Sequence, residues 1–125
     1  MELIISTRDF NTIKTLIEHM NVRYPLREAR QLAEEIKKMQ VIASELLPEN
    51  LVGINSEVSI HEVTSGKKME FKITLPSLAN LKEKKVSIFA PISIALLGFK
   101  KGDLIEWQMP GGLKKLKIIN VKNDS

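Results

Sequence analysis

The chain has 125 residues, 43% of them apolar, and contains no cysteine. This length suits one compact domain, or one small domain with an appendage, and the lack of cysteine excludes disulfides and thiolate-bound metals. The apolar runs fall short of the ~18–20 residues that a membrane-spanning helix needs. Glu2 stands where a signal peptide would carry positive charge. We therefore expect a soluble cytoplasmic protein without membrane contact, and we expect it to be a monomer.

Charge is divided unevenly along the chain. Residues 1–50 carry seven Lys/Arg and eight Asp/Glu, a net charge of −1, whereas residues 51–125 carry twelve Lys and seven Asp/Glu, a net charge of +5. A basic second half is typical of proteins that bind nucleic acid or an acidic protein surface. Most single lysines, however, only keep a surface solvated.

Residues 7–47 have the apolar periodicity of two helices. Ser6 is a suitable N-cap for the first, and Asp9 three residues later gives a weaker form of the capping box. Apolar residues at spacings of three and four form one stripe in each helix. These are Phe10, Ile13, Ile17 and Met20 in the first, and Ala29, Leu32, Ile36, Met39, Ala43 and Leu46 in the second. Two stripes joined by a short loop predict an antiparallel coiled-coil hairpin over residues 1–50.

The predicted hairpin tip consists of Asn21, Val22, Arg23, Tyr24 and Pro25. The first helix has ~14 residues and spans ~21 Å, whereas the second has ~21 residues and spans ~32 Å. The second helix therefore overhangs the first, and we expect its last turn near Leu46 to pack on the second half of the chain. Leu3, Ile4 and Ile5 precede the first helix at that end, and they predict a short strand that joins or covers the C-terminal sheet.

From Leu51 onward the apolar period changes to two, which is typical of half-buried strands. Five short strands with outward lysines are predicted. Their inward residues are Val58, Ile60 and Val63; Met69, Phe71, Ile73 and Leu75; Val86 and Ile88; Leu104 or Ile105 with Trp107 and Met109; and, with one irregular step, Leu113, Leu116, Ile118 and Val121. Residues 51–125 are therefore predicted to form an antiparallel sheet domain with one short helix, and the chain is assigned to the α+β class. Such a domain is marginal alone, so the base of the hairpin is expected to brace it.

The segment APISIALLGFKKGD, residues 90–103, contains the start and end of that helix and the turn after it. Pro91 suits the first helical position, and Gly98 suits the left-handed residue that follows a helix. Gly102 permits the turn, and the Asp103 side chain is expected to accept hydrogen bonds from the N–H groups that follow it. A hairpin into the last strand is predicted at Pro110, Gly111 and Gly112.

The stretch APISIALLGFKKGDLIEWQMPGG resembles the signature of the C-terminal domain of Gre transcription factors. That signature has a proline, then Ala-Leu-Leu/Ile-Gly, then Gly-Asp and then Pro-Gly-Gly, at this spacing. VGINSEVSI is similar to the first strand of the same domain, and SGKKMEFKI to the second. The resemblance covers Val52–Val121 and extends more weakly over residues 1–50. It implies an FKBP-like C-terminal fold, a coiled-coil hairpin, and docking at the secondary channel of bacterial RNA polymerase.

Several details are closer to one short-hairpin group within this superfamily, the regulators of nucleoside diphosphate kinase. They are Asn55-Ser56 in the first strand, Ala90-Pro91 at the short helix, Trp107 two residues before MPGG, and YPLREA in the hairpin.

The hairpin departs from that of Gre factors in length and charge. Gre factors send a long coiled coil into the channel, where acidic residues at its tip help to hold a catalytic magnesium ion. The predicted tip here has no carboxylate, and Arg23 and Arg27 add opposing charge to the flanking Glu18 and Glu28. We therefore expect no metal, no cofactor, no enzyme activity and no stimulation of transcript cleavage. The resemblance then implies a non-enzymatic regulator that competes with Gre factors at the channel entrance.

In Gre factors the loop at the start of the short helix contacts a helical projection at the channel entrance. The matching positions here are Phe89, Ala90, Pro91 and Ile92. Phe89-Ala90 lacks the acidic or hydroxyl residue that Gre factors often carry before the proline, so the expected contact is more apolar. The alternative for Phe89 is an ordinary core residue that extends the Val86/Ile88 strand.

The sequence is also compatible with two other functions. A Gre-like elongation factor that contacts DNA or RNA directly would use basic residues of the C-terminal domain on phosphates, and the candidates are Lys100, Lys101, Lys114 and Lys115. Trp107 could stack on a base, although a single strand tryptophan is more often a core residue. A prolyl isomerase needs a pocket of several aromatic rings, but aromatic residues are only 5% of this chain, and a fold alone does not carry an activity. His19 and His61 are isolated in sequence, which argues against a metal site.

Overall fold

The computed structural model describes residues 3–19, 26–109 and 112–123. Within these residues the helices are α1 (Thr7–Glu18), α2 (Leu26–Lys37) and α3 (Pro91–Leu96). The strands are β1 (Ile4–Ser6), β2 (Gln40–Ile42), β3 (Glu57–Glu62), β4 (Lys68–Thr74), β5 (Lys85–Ser87), β6 (Leu104–Met109) and β7 (Gly112–Lys122). The predicted α+β class is confirmed, whereas the coiled-coil and FKBP-like details stay predictions. The predicted hairpin tip lies outside the described residues. No described helix is long and apolar enough to cross a membrane.

The five strands predicted after Leu51 form one sheet in the order β5-β4-β3-β7-β6. β3 is central and pairs antiparallel with β4 on one side and β7 on the other, and β6 pairs antiparallel with β7. The prediction of a wholly antiparallel sheet is wrong at one edge, because β5 runs parallel to β4. Two short 3₁₀ turns, Pro76–Leu78 and Leu81–Glu83, carry the chain back so that β5 enters in the direction of β4.

The irregular step predicted in the last strand is a bulge in the β3–β7 ladder. Ser59 pairs with Asn120 and Ile60 with Ile118, so that Ile119 is the additional residue. The bulge resets the alternation of faces, which keeps Leu116, Ile118 and Val121 buried together. Leu113 was also expected to face the core, but it lies near the start of β7, away from the bulge, and is 54% exposed.

At the start of β6 two inward residues were possible, and Ile105 is the buried one while Leu104 faces solvent. The other strands follow the predicted alternation in their centres, where Val58, Ile60 and Ile73 are buried. Two predicted core residues at strand ends are exposed instead. They are Val63 and Met69.

The second helix is shorter than predicted. α2 ends at Lys37, and the N–H groups of Lys38 and Met39 donate to carbonyls three residues back, 3.2 Å from Glu35 O and Ile36 O. The next N–H, of Gln40, donates across the chain to Leu3 O at 2.8 Å. Strand pairing therefore replaces the helix where Val41 and Ile42 favour extended backbone. The expected last turn does not form, and Ala43 and Leu46 are exposed rather than packed on the sheet.

The short N-terminal strand is present. Of the two predicted arrangements, it does not join the C-terminal sheet, although its Ile5 is buried in the same hydrophobic core as the sheet. β1 pairs in parallel with β2, from Ile4 opposite Gln40 to Ser6 opposite Ile42. The two strands form a separate two-stranded sheet and do not join the five-stranded one. Because β1 leads into α1 and β2 follows α2, this pairing closes the base of the two helices.

The base of the helices and the sheet share one continuous hydrophobic core. Ile13 of α1, Leu32 of α2 and Leu96 of α3 are fully buried in the same cluster as Ile60 and Ile118 of the sheet. The expectation that the helices brace a marginal sheet agrees with this packing. Burial of each such side chain contributes about 1.5–3 kcal/mol to stability.

Gly98 lies where the two parts of the chain approach most closely. Its φ of +87° is in the left-handed region, as predicted for the residue after α3, and its N–H donates to Val52 O at 3.1 Å. A Cβ at this position would lie 3.0 Å from Leu3 Cβ, 3.2 Å from Met39 Sδ and 3.3 Å from Ile4 O. Glycine is therefore required here both by backbone conformation and by space.

We predict that Gly98→Ala lowers the free energy of unfolding by about 2–4 kcal/mol. About 1–2 kcal/mol comes from the left-handed backbone, and the rest comes from crowding against the β1 segment and Met39. The measurement is urea unfolding followed by circular dichroism.

Gly102→Ala is the matched control. Gly102 has a similar φ of +94°, but no atom lies within 4 Å of its added Cβ. It should lose only the backbone contribution of about 1–2 kcal/mol. Equal losses in the two variants would contradict the packing role of Gly98.

Candidate functional site

The predicted docking segment is a tight turn between β5 and α3. Ser87 stabilises this turn with two hydrogen bonds. Its hydroxyl accepts from Phe89 N at 3.0 Å, and its carbonyl accepts from Ala90 N at 2.9 Å. Ala90 is the N-cap residue with extended backbone, and Pro91 occupies the start of α3 as predicted. The proline ring needs no N–H partner at this position. The sequence thus produces a rigid corner with Pro91 at its outer side.

The four residues predicted for docking face in different directions. Phe89 is 4% exposed and Ile92 is 9% exposed, and both belong to the hydrophobic core. Ala90 is half-buried, whereas Pro91 is exposed. The surface that a partner can touch at this corner is therefore formed by Pro91 and part of Ala90, and the two larger residues support it from beneath.

Pro91 lies at a groove of about 610 Å³ between α2, α3 and β6. The apolar part of its lining consists of Leu3, Pro91, Ile94, Ala95, Phe99 and Trp107. The polar part consists of Arg27, Glu28, Gln31, Glu35, Glu106 and Gln108. An apolar wall edged by a few polar groups is the usual form of a recognition groove.

The groove brings Pro91 and Trp107 together, although they are far apart in the motif that predicted them. Trp107 was expected in the core, and its half-buried ring packs against the core while also lining the groove. The sequence did not predict that α2 contributes to the groove, because Glu28 and Glu35 have the spacing of ordinary solvent-facing residues of a helix. With Glu106 they place three carboxylates in the lining against the single guanidinium of Arg27, and Lys38, which is not part of the lining, pairs with Glu35 at 3.9 Å. The lining itself is therefore acidic in a protein of net charge +4.

The four lysines predicted for nucleic-acid contact do not form one cluster. Lys100 and Lys101 are exposed in the turn before β6. Asp103 accepts from the preceding Lys100 N at 2.9 Å, not from the N–H groups after it as predicted, because the turn folds back on itself. Lys114 lies toward the core face and pairs with Glu62 at 3.3 Å, whereas Lys115 lies on the opposite face of β7.

A second junction between helix and sheet was also missed. Ser6 caps α1 as predicted, and its hydroxyl accepts from Asp9 N at 2.9 Å. The Asp9 carboxylate does not complete a capping box; instead it accepts from Ile54 N at 3.0 Å, in the loop before β3. A Cβ on Gly53 would lie 2.6 Å from the same carboxylate oxygen, so glycine is required for this approach. No sequence signal connects residues so far apart.

The Asp9 junction borders a cavity of about 470 Å³, whose lining includes Arg8, Glu49 and Asn123. Asn123 ties the end of β7 to this loop, because its amide donates to Glu49 O and Leu51 O at 2.9 and 2.8 Å. Ser56 completes the network, since its hydroxyl bonds Asn123 Oδ1 and accepts from Gly53 N. Among the described residues no cluster of three or more His, Asp or Glu side chains could hold a metal ion.

Burial raises the pKa of the Asp9 carboxyl above its ordinary value, against the opposing effects of the Ile54 hydrogen bond, the Arg8 charge and the Ser6 hydrogen bond. Asp9 is only 8% exposed. The charged carboxylate is therefore held at the junction at a desolvation cost.

Comparison with known proteins identifies the family. The sequence profile described as "Transcription elongation factor, GreA/GreB, C-term" matches residues 47–123. This chain belongs to the GreA/GreB family of transcription elongation factors, as its motifs indicated.

Individual relatives agree with this assignment. The regulator of nucleoside diphosphate kinase from Escherichia coli K12 is 30% identical over 112 residues, which are 89% of this chain and 81% of that protein. GreA from Christiangramia forsetii is 34% identical over 91 residues, which are 73% of this chain but only 58% of GreA. A solved GreA/GreB elongation factor from Nitrosomonas europaea has a TM-score of 0.77 and 29% identity, with 98% of each chain covered.

We predict that the free energy of unfolding falls as pH rises from the ordinary aspartate range through the raised pKa of Asp9. Within that interval the folded protein binds the Asp9 proton more tightly than the unfolded chain does, so deprotonation favours unfolding. Asp9→Asn should remove this part of the pH dependence, while its side-chain oxygen still accepts from Ile54 N. Urea unfolding from about pH 4 to pH 8 measures the effect.

Asp103→Asn is the control, because it makes the same charge change at a residue whose carboxylate accepts a backbone N–H within a surface turn. Its unfolding curve should keep the wild-type dependence on pH. If Asp9→Asn and Asp103→Asn respond alike, Asp9 is not the group responsible.

Proposed function

We propose that this protein is a non-enzymatic regulator of bacterial transcription that binds RNA polymerase at the entrance of the secondary channel and competes there with Gre factors. The observation that carries the proposal is the exposed Pro91, which lies at the mouth of an acidic groove and matches the docking loop of the Gre signature. Membership of the GreA/GreB family supports polymerase as the partner. Such a regulator would act in the cytoplasm.

The groove beside Pro91 suits side chains projecting from one face of a helix. A whole helix is about 10–12 Å wide with its side chains, so it would lie over the groove rather than inside it. The half-buried rings of Phe99 and Trp107 offer apolar contact, and Glu28, Glu35 and Glu106 favour basic side chains on the partner. Charge complementarity of this kind mainly raises the association rate and the specificity.

The helices support the absence of transcript-cleavage stimulation. α1 and α2 have 12 residues each, which is about 18 Å of helix and too short for the long coiled coil of a Gre factor. Residues 19–25, which lie between the two helices in sequence and include the predicted tip Asn21–Pro25, contain no Asp or Glu to hold a magnesium ion. The protein would therefore block the channel entrance without delivering catalytic carboxylates.

We predict that this protein inhibits GreA-stimulated RNA cleavage in stalled elongation complexes and causes no cleavage itself. Inhibition should grow with its concentration and should be overcome by added GreA, because both would occupy one site. Gel analysis of labelled transcripts measures both effects, with GreA alone as the positive control. Shortened RNA with this protein alone, or no inhibition at high micromolar concentration, would overturn the proposal.

We predict that Pro91→Gln weakens polymerase binding about tenfold, which corresponds to about 1.4 kcal/mol, while the fold is retained because Pro91 is exposed. Ile92 is unsuitable for this test, since its burial means that a polar substitution would destabilise the core. Affinity is measured by titrating labelled protein with core polymerase.

Pro76→Gln is the matched control, because Pro76 also occupies the first turn of a short helical segment but lies outside the groove. Its affinity should equal that of the wild type. If Pro91→Gln binds as tightly as Pro76→Gln, the docking surface lies elsewhere.

A further inference from the structure

On the outer face of the sheet, opposite the core, most lysines have a carboxylate directly across from them on a neighbouring strand. Lys115 of β7 faces Glu106 of β6. Glu57 of β3 lies between Lys72 of β4 and Lys122 of β7. Opposite charges directly across a ladder stabilise a sheet, whereas like charges there destabilise it. Lys72, Lys115 and Lys122 each have a carboxylate directly across the ladder, although Lys72 also faces Lys85 of β5.

One row across the same face contains no carboxylate. His61 of β3 pairs in register with Lys68 of β4 on one side and with Lys117 of β7 on the other. The row ends at Leu104 of β6, which faces Lys117 and offers no acceptor. Lys68 and Lys117 are exposed, and His61 is half-buried. Within the described part of the chain, no carboxylate pairs with any of these three side chains.

We propose that this row, Lys68–His61–Lys117, binds the phosphate backbone of a nucleic acid. Neighbouring strands lie about 4.8 Å apart, so the two lysines start about 10 Å apart with the imidazole midway. A length of about 10 Å along a nucleic-acid duplex carries about three phosphates of one strand. Each side chain of the row is an N–H donor, and the flexible lysine stems adjust to the spacing of the phosphates.

The composition of this face favours nucleic acid over an acidic protein partner. Protein interfaces are enriched in aromatic residues and arginine and depleted of lysine, but residues 51–125 contain no arginine. The rings of Phe71 and Trp107 belong to the core side of the sheet, so neither of them offers this face a platform for base stacking. The expected contact is therefore with phosphates alone, independent of base sequence and sensitive to salt.

The inference rests partly on the proposed function, because a transcription complex supplies the RNA and DNA that the row would meet. The row also differs from the lysines that the sequence suggested for nucleic-acid contact. Lys114 is already paired with Glu62, and Lys115 faces Glu106. Lys68, His61 and Lys117 have no carboxylate across from them, and the register of three strands brings them into one row.

The test uses the full chain without polymerase and a fluorescent single-stranded RNA of about 20 nucleotides, which exceeds typical single-strand site sizes. Fluorescence anisotropy gives the affinity between about 50 and 200 mM salt. The double variant Lys68→Gln/Lys117→Gln should bind about tenfold more weakly. The slope of log affinity against log salt should fall in magnitude by about 1.4, since single strands contribute about 0.7 per phosphate contact.

Lys14→Gln/Lys82→Gln is the control, because it removes the same charge from exposed positions on α1 and in the loop before β5. It should bind RNA as the wild type does. Equal losses in the two double variants would show a non-specific charge effect and overturn the proposal. If the row binds poly-glutamate as tightly as RNA of equal length, an acidic protein replaces nucleic acid as the partner, and the proposal also fails.

The outcome is independent of polymerase docking. Lys68→Gln/Lys117→Gln should still inhibit GreA-stimulated cleavage, because the row is on the sheet face and not at the groove beside Pro91. A wild-type protein that binds RNA through the row but does not compete with GreA would reject the docking proposal alone.

Discussion

The close approach of backbone at Gly98 is the constraint on which the arrangement of the chain depends. At this point the end of α3 meets the N-terminal segment at Leu3 and Ile4, Met39 beyond the end of α2, and Val52 in the segment before β3. The absence of a side chain allows four separate parts of the sequence to share one contact. The groove beside Pro91 exists because α2 and α3 are held at this spacing, and the Asp9 junction fixes the other end of the base.

Much of this architecture could be predicted because local patterns and tertiary packing agree. The period-two segments became strands, Ser6 capped α1, and Pro91 and Gly98 bounded α3, since each of these depends on neighbouring residues alone. The failures share a different cause. α2 ended early because a hydrogen bond from Gln40 to Leu3 competed with a continuing helix, and neither helical propensity nor apolar spacing contains that long-range partner.

The position of the candidate site in the sequence could be predicted from the motif, but the groove and the exposure of its residues could not. The signature identified Pro91, yet only the structure distinguishes the exposed proline from the buried Phe89 and Ile92 on either side. The acidic wall came from α2, where Glu28 and Glu35 read as ordinary solvated residues. Likewise, runs of lysine in sequence say little about positive surface, because register decides which lysines meet a carboxylate.

The order of strands in the sheet also has a consequence for synthesis of the chain. β3 is the central strand, but its second partner, β7, is made after all the other described strands. While translation continues, the β3–β4 hairpin has an unpaired edge, which is the kind of surface that attracts other strands. Glu57 and Glu62, at the two ends of β3, make that edge a poor template for foreign strands. These charges therefore limit aggregation of the nascent chain during the interval before β7 pairs with β3.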